Sequence, residues 1–250
     1  MAIIENYKNG ILYYQFKAFK DIDYINHLFT SRIGWDNDNL AKNISHIFKV
    51  SKDNIIAVKQ VHGTNIKIID WDLNWDANNF KKISQIEADG LITNVANIIL
   101  TTYHADCVPI YFLDKTKKIV GLAHGGWRGT FENISGKMID IFNDKYSSDK
   151  KDILVGIGPS IGPCCYEVGQ DLSQKFIQRY NKFPNVVINK NNKFFLDLWK
   201  INIYQLMEKG ISRDNIIVSD ICTSCEVDKF YSYRKEKGTN KRMLAAIGLI

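Results

Sequence analysis

The segment 98–123, which reads IILTTYHADCVPIYFLDKTKKIVGLA, decides the class of fold. It contains three apolar runs rich in β-branched and aromatic residues, at 98–103, 109–113 and 119–123, with polar or turn residues between them. Runs of this length and composition are typical of buried β-strands. The segment therefore predicts three strands of a sheet.

Outward from this segment, further apolar runs predict strands at 11–16, 55–61, 66–69, 90–93, 153–157, 186–188 and 216–218. Apolar residues recur at helical spacing in three places, which predicts helices at 133–146, 172–180 and 198–209. Because strands and helices alternate irregularly, we expect a mixed α/β (α+β) sandwich rather than a regular doubly wound sheet.

The bulk composition excludes several classes of protein. The 250 residues are 45% hydrophobic and 24% charged, which is ordinary for a globular chain, and no repeat or linker divides them, so we expect one domain over 1–250. No stretch approaches the roughly 20 apolar residues of a membrane helix, and the N-terminus lacks a secretory signal. We therefore expect a cytoplasmic protein with no membrane partner. The net charge of +6 comes largely from scattered lysines, which predicts no nucleic-acid partner.

Four of the five cysteines form two close pairs in the sequence, Cys164 with Cys165 and Cys222 with Cys225. An odd number of cysteines without a signal peptide indicates reduced thiols. We expect these four to be free, buried thiols, and a structural zinc site with four thiolate ligands is the alternative.

Three side chains that commonly bind metals each end or follow an apolar run: His62, Cys107 and His124. Zinc accepts imidazole and thiolate together, and three protein ligands leave a fourth position open for water or substrate. Taken singly, each residue also fits a structural role, and no gap between them is a short metal-binding motif. His104 precedes Cys107 by three residues and would face the other side of a continuing strand, so we leave it out of the ligand set.

Six motifs occur in order along the chain: QVHG (60–63), ADGLIT (88–93), ADCVPI (105–110), HGGWRGT (124–130), GPSIGPCCYEV (158–168), and CT (222–223) with FYSYR (230–234). In this arrangement the chain resembles the YfiH-type laccase-domain family, whose members are called polyphenol oxidases or purine nucleoside phosphorylases. The resemblance runs from about residue 31 to the C-terminus. It implies a mixed-sheet sandwich related to cytotoxic-necrotizing-factor catalytic domains, the metal ligands His62, Cys107 and His124, and a monomer.

The family names imply two different activities. One is copper-dependent oxidation of polyphenols, whose copper clusters need many imidazoles, whereas this chain has five histidines and no His-x-His pair. The other is zinc-dependent phosphorolysis of adenosine, inosine, guanosine and methylthioadenosine, with deamination of adenosine. We favour the second, with Zn²⁺ as cofactor (copper as a substitute) and a small-molecule nucleoside and phosphate as partners. A role in quality control of cell-wall precursors is a further alternative.

Deamination needs an acidic group that moves a proton, and Asp89 or Asp106 is the candidate, although an aspartate beside a metal ligand often braces that ligand instead. Tyr166 is a candidate for stacking on the purine.

Phosphorolysis needs positive charge and amide donors around the phosphate. Arg32, Arg128 and Arg234 lie in family-like segments, and Gly125 and Gly126 have amides that suit an anion. For Arg128, the nearest of the three to a ligand in sequence, a salt bridge that rigidifies its loop is the alternative.

Overall fold

The computed structural model describes residues 2–35, 39–70 and 85–250. Within those ranges one mixed sheet contains the strands Ile3–Lys8 (β1), Ile11–Phe16 (β2), Ile25–Thr30 (β3), Ile55–Ala57 (β4), Ile99–His104 (β7) and Met243–Leu249 (β15). Their order across the sheet is β1-β2-β3-β15-β7-β4.

A second mixed sheet has the order β14-β10-β8-β9-β6-β5. Its strands are Ile66–Ile69 (β5), Gly90–Thr93 (β6), Val108–Asp114 (β8), Ile119–Gly125 (β9), Ile153–Ile157 (β10) and Ile216–Val218 (β14). A small antiparallel sheet contains Glu167–Val168 (β11), Val187–Lys190 (β12) and Lys193–Leu196 (β13).

The α-helices of the described ranges are Lys17–Lys20 (α1), Leu40–Phe48 (α2), Trp127–Phe131 (α3), Ile134–Tyr146 (α4), Gln170–Arg179 (α5) and Leu198–Glu208 (α6). Short 3-10 turns occur at Lys52–Asn54, Lys150–Asp152 and Arg213–Asn215. None of the described helices is long and apolar enough to cross a bilayer.

The two large sheets pack face to face, and helices cover their outer faces. Strand β8 shows the arrangement, because its side chains alternate between two cores. Tyr111 and Leu113 belong to the core between the sheets, while Ile110 and Phe112 belong to the core under α4, α5 and α6. Helix α2 covers the outer face of the first sheet. Each fully buried apolar side chain of this kind contributes roughly 1.5–3 kcal/mol.

A close helix–sheet approach supports the strand that leads to His124. Gly121 lies in β9, and a Cβ there would lie 2.7 Å from Cε of Met138 in α4. The missing side chain therefore lets α4 pack directly on β9.

The mixed α/β sandwich predicted from the sequence is confirmed, but some elements were missed. Strand β15 is central to the first sheet, yet Met243–Leu249 contains two alanines and a glycine, which have little strand propensity. The strands β1 and β3 and the helix α2 were also not predicted. The strand expected over 55–61 ends at Ala57. In the rest of that range, Lys59 forms an isolated bridge with Glu87.

Candidate metal centre and adjoining cavity

The register of β8 and β9 explains why Cys107 and His124 meet. The two strands are antiparallel, and Val108 pairs with Gly125 while Pro109 pairs with His124. Cys107, directly before β8, therefore lies beside the end of β9. His62 comes from the loop before β5 and has a left-handed backbone with φ 61°. Single donor atoms of the three side chains all lie within 4.8 Å of one another, so the structure brings together the trio predicted as ligands.

Cys107 and His124 shift the pKa values of each other. Burial raises the pKa of the Cys107 thiol, but His124 and His62 outweigh burial and lower that pKa to about 6. Burial conversely lowers the pKa of His124, while Cys107 and the Asp89 carboxylate raise it to about 9. At neutral pH these values pair a thiolate with an imidazolium, and a borderline cation bound by both side chains would displace the imidazolium proton.

Asp89 is fully buried and accepts hydrogen bonds from His124 and from the backbone of residues 61–63. Its Oδ1 accepts hydrogen bonds from His124 Nδ1 at 2.8 Å and from the His62 amide at 3.0 Å. Its Oδ2 accepts from the Gly63 amide at 2.7 Å and the Val61 amide at 3.3 Å. Burial raises the pKa of Asp89, but His124 and these amides outweigh it, so the pKa falls below its ordinary value. Both oxygens are engaged, which is the geometry of a bracing residue.

Gly126 leaves room for the donor group. A Cβ at this position would lie 3.2 Å from His62 Cδ2, 3.3 Å from Cys107 Sγ and 3.7 Å from His124 Cε1. The three side chains thus surround a space that an ordinary side chain would partly fill. Their mixed imidazole and thiolate chemistry fits zinc, so the residues present fit the implied metal.

His104 lies behind this group and is not part of it. Strand β7 ends at His104, and Asp106 has a left-handed φ of 84°, so the strand does not continue to Cys107. The His104 ring pairs with the Thr102 hydroxyl at 2.8 Å and the Cys107 carbonyl at 3.0 Å. Both ring nitrogens are used, and this is the reason that His104 is unavailable as a ligand.

Asp106 is buried and accepts hydrogen bonds through both oxygens. Thr223 donates to its Oδ1 at 2.7 Å, and Ser232 and the Arg234 amide donate to its Oδ2 at 3.0 and 2.7 Å. Its contacts join three separate segments of the chain, so Asp106 organises the wall of the site.

A cavity of about 640 Å³ opens beside the donor group and is large enough for a nucleoside. Three arginines line it, namely Arg128, Arg234 and Arg242. Four aromatic residues line it as well: Tyr103, Trp127, Tyr166 and Tyr233. The cavity therefore combines positive charge with apolar ring faces next to the His62, Cys107 and His124 side chains.

Arg128 and Arg234 approach the cavity differently. Arg128 is exposed and stacks on the Trp127 ring with its guanidinium carbon 4.2 Å from the centroid. Within the described ranges no carboxylate forms a salt bridge with Arg128, in contrast to the alternative considered for it. Arg234 lies 5.1 Å from the centroid of Tyr166 and donates to the Glu167 carbonyl at 2.5 Å.

Two residues predicted to bind phosphate lie elsewhere. Arg32 does not line the cavity, because its guanidinium donates to the Val227 carbonyl at 2.7 Å and pairs with Glu236 at 3.4 Å. Gly125 is buried in β9, where a Cβ would lie 3.2 Å from Ile110 and 3.3 Å from the Val108 carbonyl. Packing and internal hydrogen bonds engage both residues, and neither lines the cavity.

Among the cavity residues that the sequence prediction missed are Arg242 and Gln60. Gln60 belongs to the quoted QVHG motif, and its side chain exchanges two hydrogen bonds with the Tyr103 backbone, at 2.7 and 2.9 Å. Arg242 directly precedes β15, and the failure to predict that strand concealed the position of Arg242.

The sequence analysis predicted that the four remaining cysteines are buried, but not all of them are. Cys222 is buried and Cys165 half-buried, but Cys164 and Cys225 are exposed. The expectation of buried thiols is wrong for these two, because both pairs lie on surface loops.

Comparison with known proteins places the chain in a family. Residues 26–250 match the family model described as multi-copper polyphenol oxidoreductase laccase. The chain belongs to this laccase-domain family. Among its relatives, "Purine nucleoside phosphorylase YlmD" of Geobacillus stearothermophilus is 39% identical over 77% of this chain and 71% of the relative. "Purine nucleoside phosphorylase SERP0752" of Staphylococcus epidermidis is 34% identical over 96% of this chain and 88% of the relative.

Solved structures of laccase-domain proteins share the fold. The crystal structure of YlmD from Geobacillus stearothermophilus has a TM-score of 0.83 at 28% identity, over 98% of each chain. The structure of Bacillus licheniformis YfiH has a TM-score of 0.81 at 28% identity, over 97% of each chain.

The number of available imidazoles limits how many metal centres this laccase-domain chain can build. Of the five, His62 and His124 belong to the donor group, and His104 is engaged on both nitrogens. His27 is buried in the first sheet and accepts a hydrogen bond from the Phe16 amide at 2.7 Å, and His46 is exposed on α2. Two imidazoles are thus available at the centre, in place of the many that a set of copper sites requires.

Proposed function

We propose that the chain is a zinc-dependent purine nucleoside phosphorylase that also deaminates adenosine. One observation carries the proposal: a single cavity holds the His/Cys/His donor group, three arginines and four aromatic rings. Phosphate requires the cationic side chains, and a purine requires ring faces to stack on. The proposed substrates are adenosine, inosine, guanosine and methylthioadenosine, and the names of the relatives support this class.

His62, Cys107 and His124 would hold the zinc ion. Bound there, zinc supplies a Lewis acid and lowers the pKa of a bound water to about 7. Asp89 accepts a hydrogen bond from His124 Nδ1, which leaves Nε2 as the donor atom of that ring. A carboxylate in this position fixes the tautomer and the orientation of a ligating histidine.

In phosphorolysis, an oxygen of inorganic phosphate bonds to the anomeric carbon of the ribose while the bond from that carbon to the purine nitrogen breaks. The base leaves with the electron pair and takes up the proton that dihydrogen phosphate gives up. The products are the free base and ribose 1-phosphate, or 5-methylthioribose 1-phosphate from methylthioadenosine. Arg128, whose guanidinium has no carboxylate partner among the described residues, binds the phosphate in this proposal. Arg234 and Arg242 add positive charge to the same cavity.

In deamination, water replaces the amino group of adenosine, and the products are inosine and ammonia. We assign Asp89 and Asp106 to positioning rather than proton transfer, because both oxygens of each already accept hydrogen bonds. Asp89 orients His124, and Asp106 holds the amide of Arg234 at the cavity wall.

Polyphenol oxidation by a set of copper ions is the weaker alternative. The chain has two histidines at its donor group, and the others are core or surface residues, so the imidazoles for a copper cluster are lacking. A single copper ion in place of zinc is compatible with the ligands, since Cu²⁺ binds most nitrogen and sulfur sites more tightly than Zn²⁺.

The test is to incubate the zinc-loaded protein with adenosine or inosine, with and without phosphate, and to separate the products. Free base and ribose 1-phosphate that form only with phosphate would support phosphorolysis, and inosine from adenosine would support deamination. Free ribose would identify a hydrolase instead. No turnover of any nucleoside by the fully zinc-loaded protein would refute the proposal.

A further inference from the structure

A second group of metal-binding side chains lies outside the donor group described above. Cys164 and Cys165 follow β10, and Cys222 and Cys225 follow β14. These two strands are adjacent and parallel, with Val155 paired to Ile216, so the loops after them leave the sheet at the same edge. The four sulfur atoms all lie within 4.8 Å of one another.

The sulfur spacing suits one coordinated ion better than a disulfide. Cys225 Sγ lies 3.5 Å from Cys164 Sγ and 3.4 Å from Cys165 Sγ. A disulfide needs about 2.05 Å. Four thiolates arranged tetrahedrally at about 2.3 Å from zinc are about 3.8 Å apart. An iron–sulfur cluster distributes its cysteines over several irons, which separates them more widely than a single ion does.

The backbone around the cysteines is already arranged as a ligand loop. The Cys222 carbonyl accepts hydrogen bonds from the amides of Cys225 and Glu226, both at 3.1 Å, so the 222–225 segment forms a tight turn. The Gly162 amide donates to Cys222 Sγ at 3.2 Å. An amide that donates to sulfur stabilises the negative charge of a thiolate.

Backbone hydrogen bonds join the two loops independently of any ion. The Ser160 amide donates to the Ile221 carbonyl at 3.2 Å, and the Thr223 amide donates to the Ser160 carbonyl at 3.1 Å. The cysteine pairs are therefore held opposite each other before an ion binds, and this lowers the entropy that binding must overcome.

We propose that Cys164, Cys165, Cys222 and Cys225 bind one structural Zn²⁺ ion. Four protein sulfurs complete a tetrahedral shell and leave no position for substrate, which distinguishes this site from the His62, Cys107 and His124 group. The inference does not depend on the proposed nucleoside chemistry.

The ion would brace one wall of the cavity. Ile161 and Tyr166 flank the first cysteine pair and line the cavity. Thr223, between the other two cysteines, donates to Asp106 Oδ1 at 2.7 Å. An ion that links the two loops would therefore restrain both Tyr166 and Thr223, the residue that donates to Asp106.

The test is to count zinc in the full chain, purified under reducing conditions without added chelator. We expect two zinc ions per chain in the natural protein, and one each in Cys225→Ser and in Cys107→Ser. X-ray absorption of the zinc that remains in Cys107→Ser should show sulfur ligands without imidazole. This measurement keeps the proposal testable even where Cys225→Ser folds poorly, because the Cys107→Ser variant leaves the four-cysteine group intact.

Zinc that is lost entirely in Cys107→Ser and fully retained in Cys225→Ser would overturn the proposal. A disulfide among the four cysteines that persists in protein purified under reducing conditions, detected by mass spectrometry, would also overturn it. Zinc bound in Cys107→Ser without any nucleoside turnover by the natural protein would support this site and count against the proposed function alone.

Discussion

Oδ1 of Asp89 lies 2.8 Å from Nδ1 of His124, and both residues are buried. The same oxygen accepts a hydrogen bond from the His62 amide at 3.0 Å, so one carboxylate orients two of the three proposed metal ligands. Asp89 directly precedes β6, whereas His124 lies near the end of the neighbouring β9. The sheet itself therefore sets the geometry of this contact.

We expect Asp89→Asn to weaken zinc binding and activity by roughly 10- to 100-fold, the usual effect of changing a residue that braces a metal ligand. The amide has one acceptor atom where the carboxylate has two, so it cannot serve His124 and the 61–63 amides alike. Zinc affinity by competition with a chelator measures the effect. Asp114→Asn is the control, since Asp114 is also fully buried but caps the turn between β8 and β9 through the Thr116 and Lys117 amides. Equal zinc loss in both variants would contradict the bracing role.

Gly126→Ala should lower zinc affinity without straining the backbone. Gly126 has φ −68°, which any residue adopts, but the added Cβ would lie 3.2 Å from His62 and 3.3 Å from Cys107. The methyl group would press on two ligands at once. Gly169→Ala is the matched control, because Gly169 also precedes a helix and its Cβ would meet nothing within 4 Å. If both variants bind zinc as the natural protein does, the space around Gly126 is not part of the site.

Arg128→Ala should raise the KM for phosphate about 10- to 100-fold, since a hydrogen bond to a charged group is worth about 1.5–3 kcal/mol. Steady-state kinetics at varied phosphate and saturating nucleoside measure this effect. Arg32→Ala should lower the melting temperature through loss of its contacts with Val227 and Glu236, yet leave the KM for phosphate unchanged. A raised KM in Arg32→Ala alone would reverse the two assignments.

His27 should make the fold sensitive to acid. Burial, with a smaller effect of Lys20, lowers its pKa from 6.5 to about 3. Above pH 6.5 the ring is neutral in both the folded and the unfolded chain, so its titration does not affect stability there. Below pH 6.5 the unfolded chain takes up a proton that the folded chain does not bind, and the free energy of unfolding falls by up to about 1.4 kcal/mol per pH unit down to about pH 3.

Denaturant unfolding between pH 7 and pH 4 measures this slope. As the pH falls, the free energy of unfolding should decline less steeply in His27→Gln than in the natural protein, although the variant is less stable at pH 7. His46→Gln, at an exposed position on α2, serves as the control and should keep the slope of the natural protein. Parallel slopes in all three proteins would show that His27 does not cause the acid sensitivity.

The sandwich was predictable from the sequence for a physical reason, whereas the proposal of His62, Cys107 and His124 as one donor group rested on the family resemblance. Strands β8 and β9 are apolar on both faces, so their pattern is strong, and their pairing alone brings Cys107 to His124. Strand β15 could not be read from Met243–Leu249, since neighbouring strands rather than local propensity hold it in place. The place of Arg32 depends on contacts with the distant residues Val227 and Glu236, which one sequence does not reveal, and the place of Arg242 follows from β15.

The decisive measurement is the rate of phosphate-dependent adenine release from adenosine in the natural protein and in Cys107→Ser. Thermal unfolding should first show that the variant is folded. We expect steady release of adenine and ribose 1-phosphate by the natural protein and none above background in Cys107→Ser. Equal rates in the two proteins, or no release by the zinc-loaded natural protein, would refute the proposed phosphorylase with Cys107 at its centre.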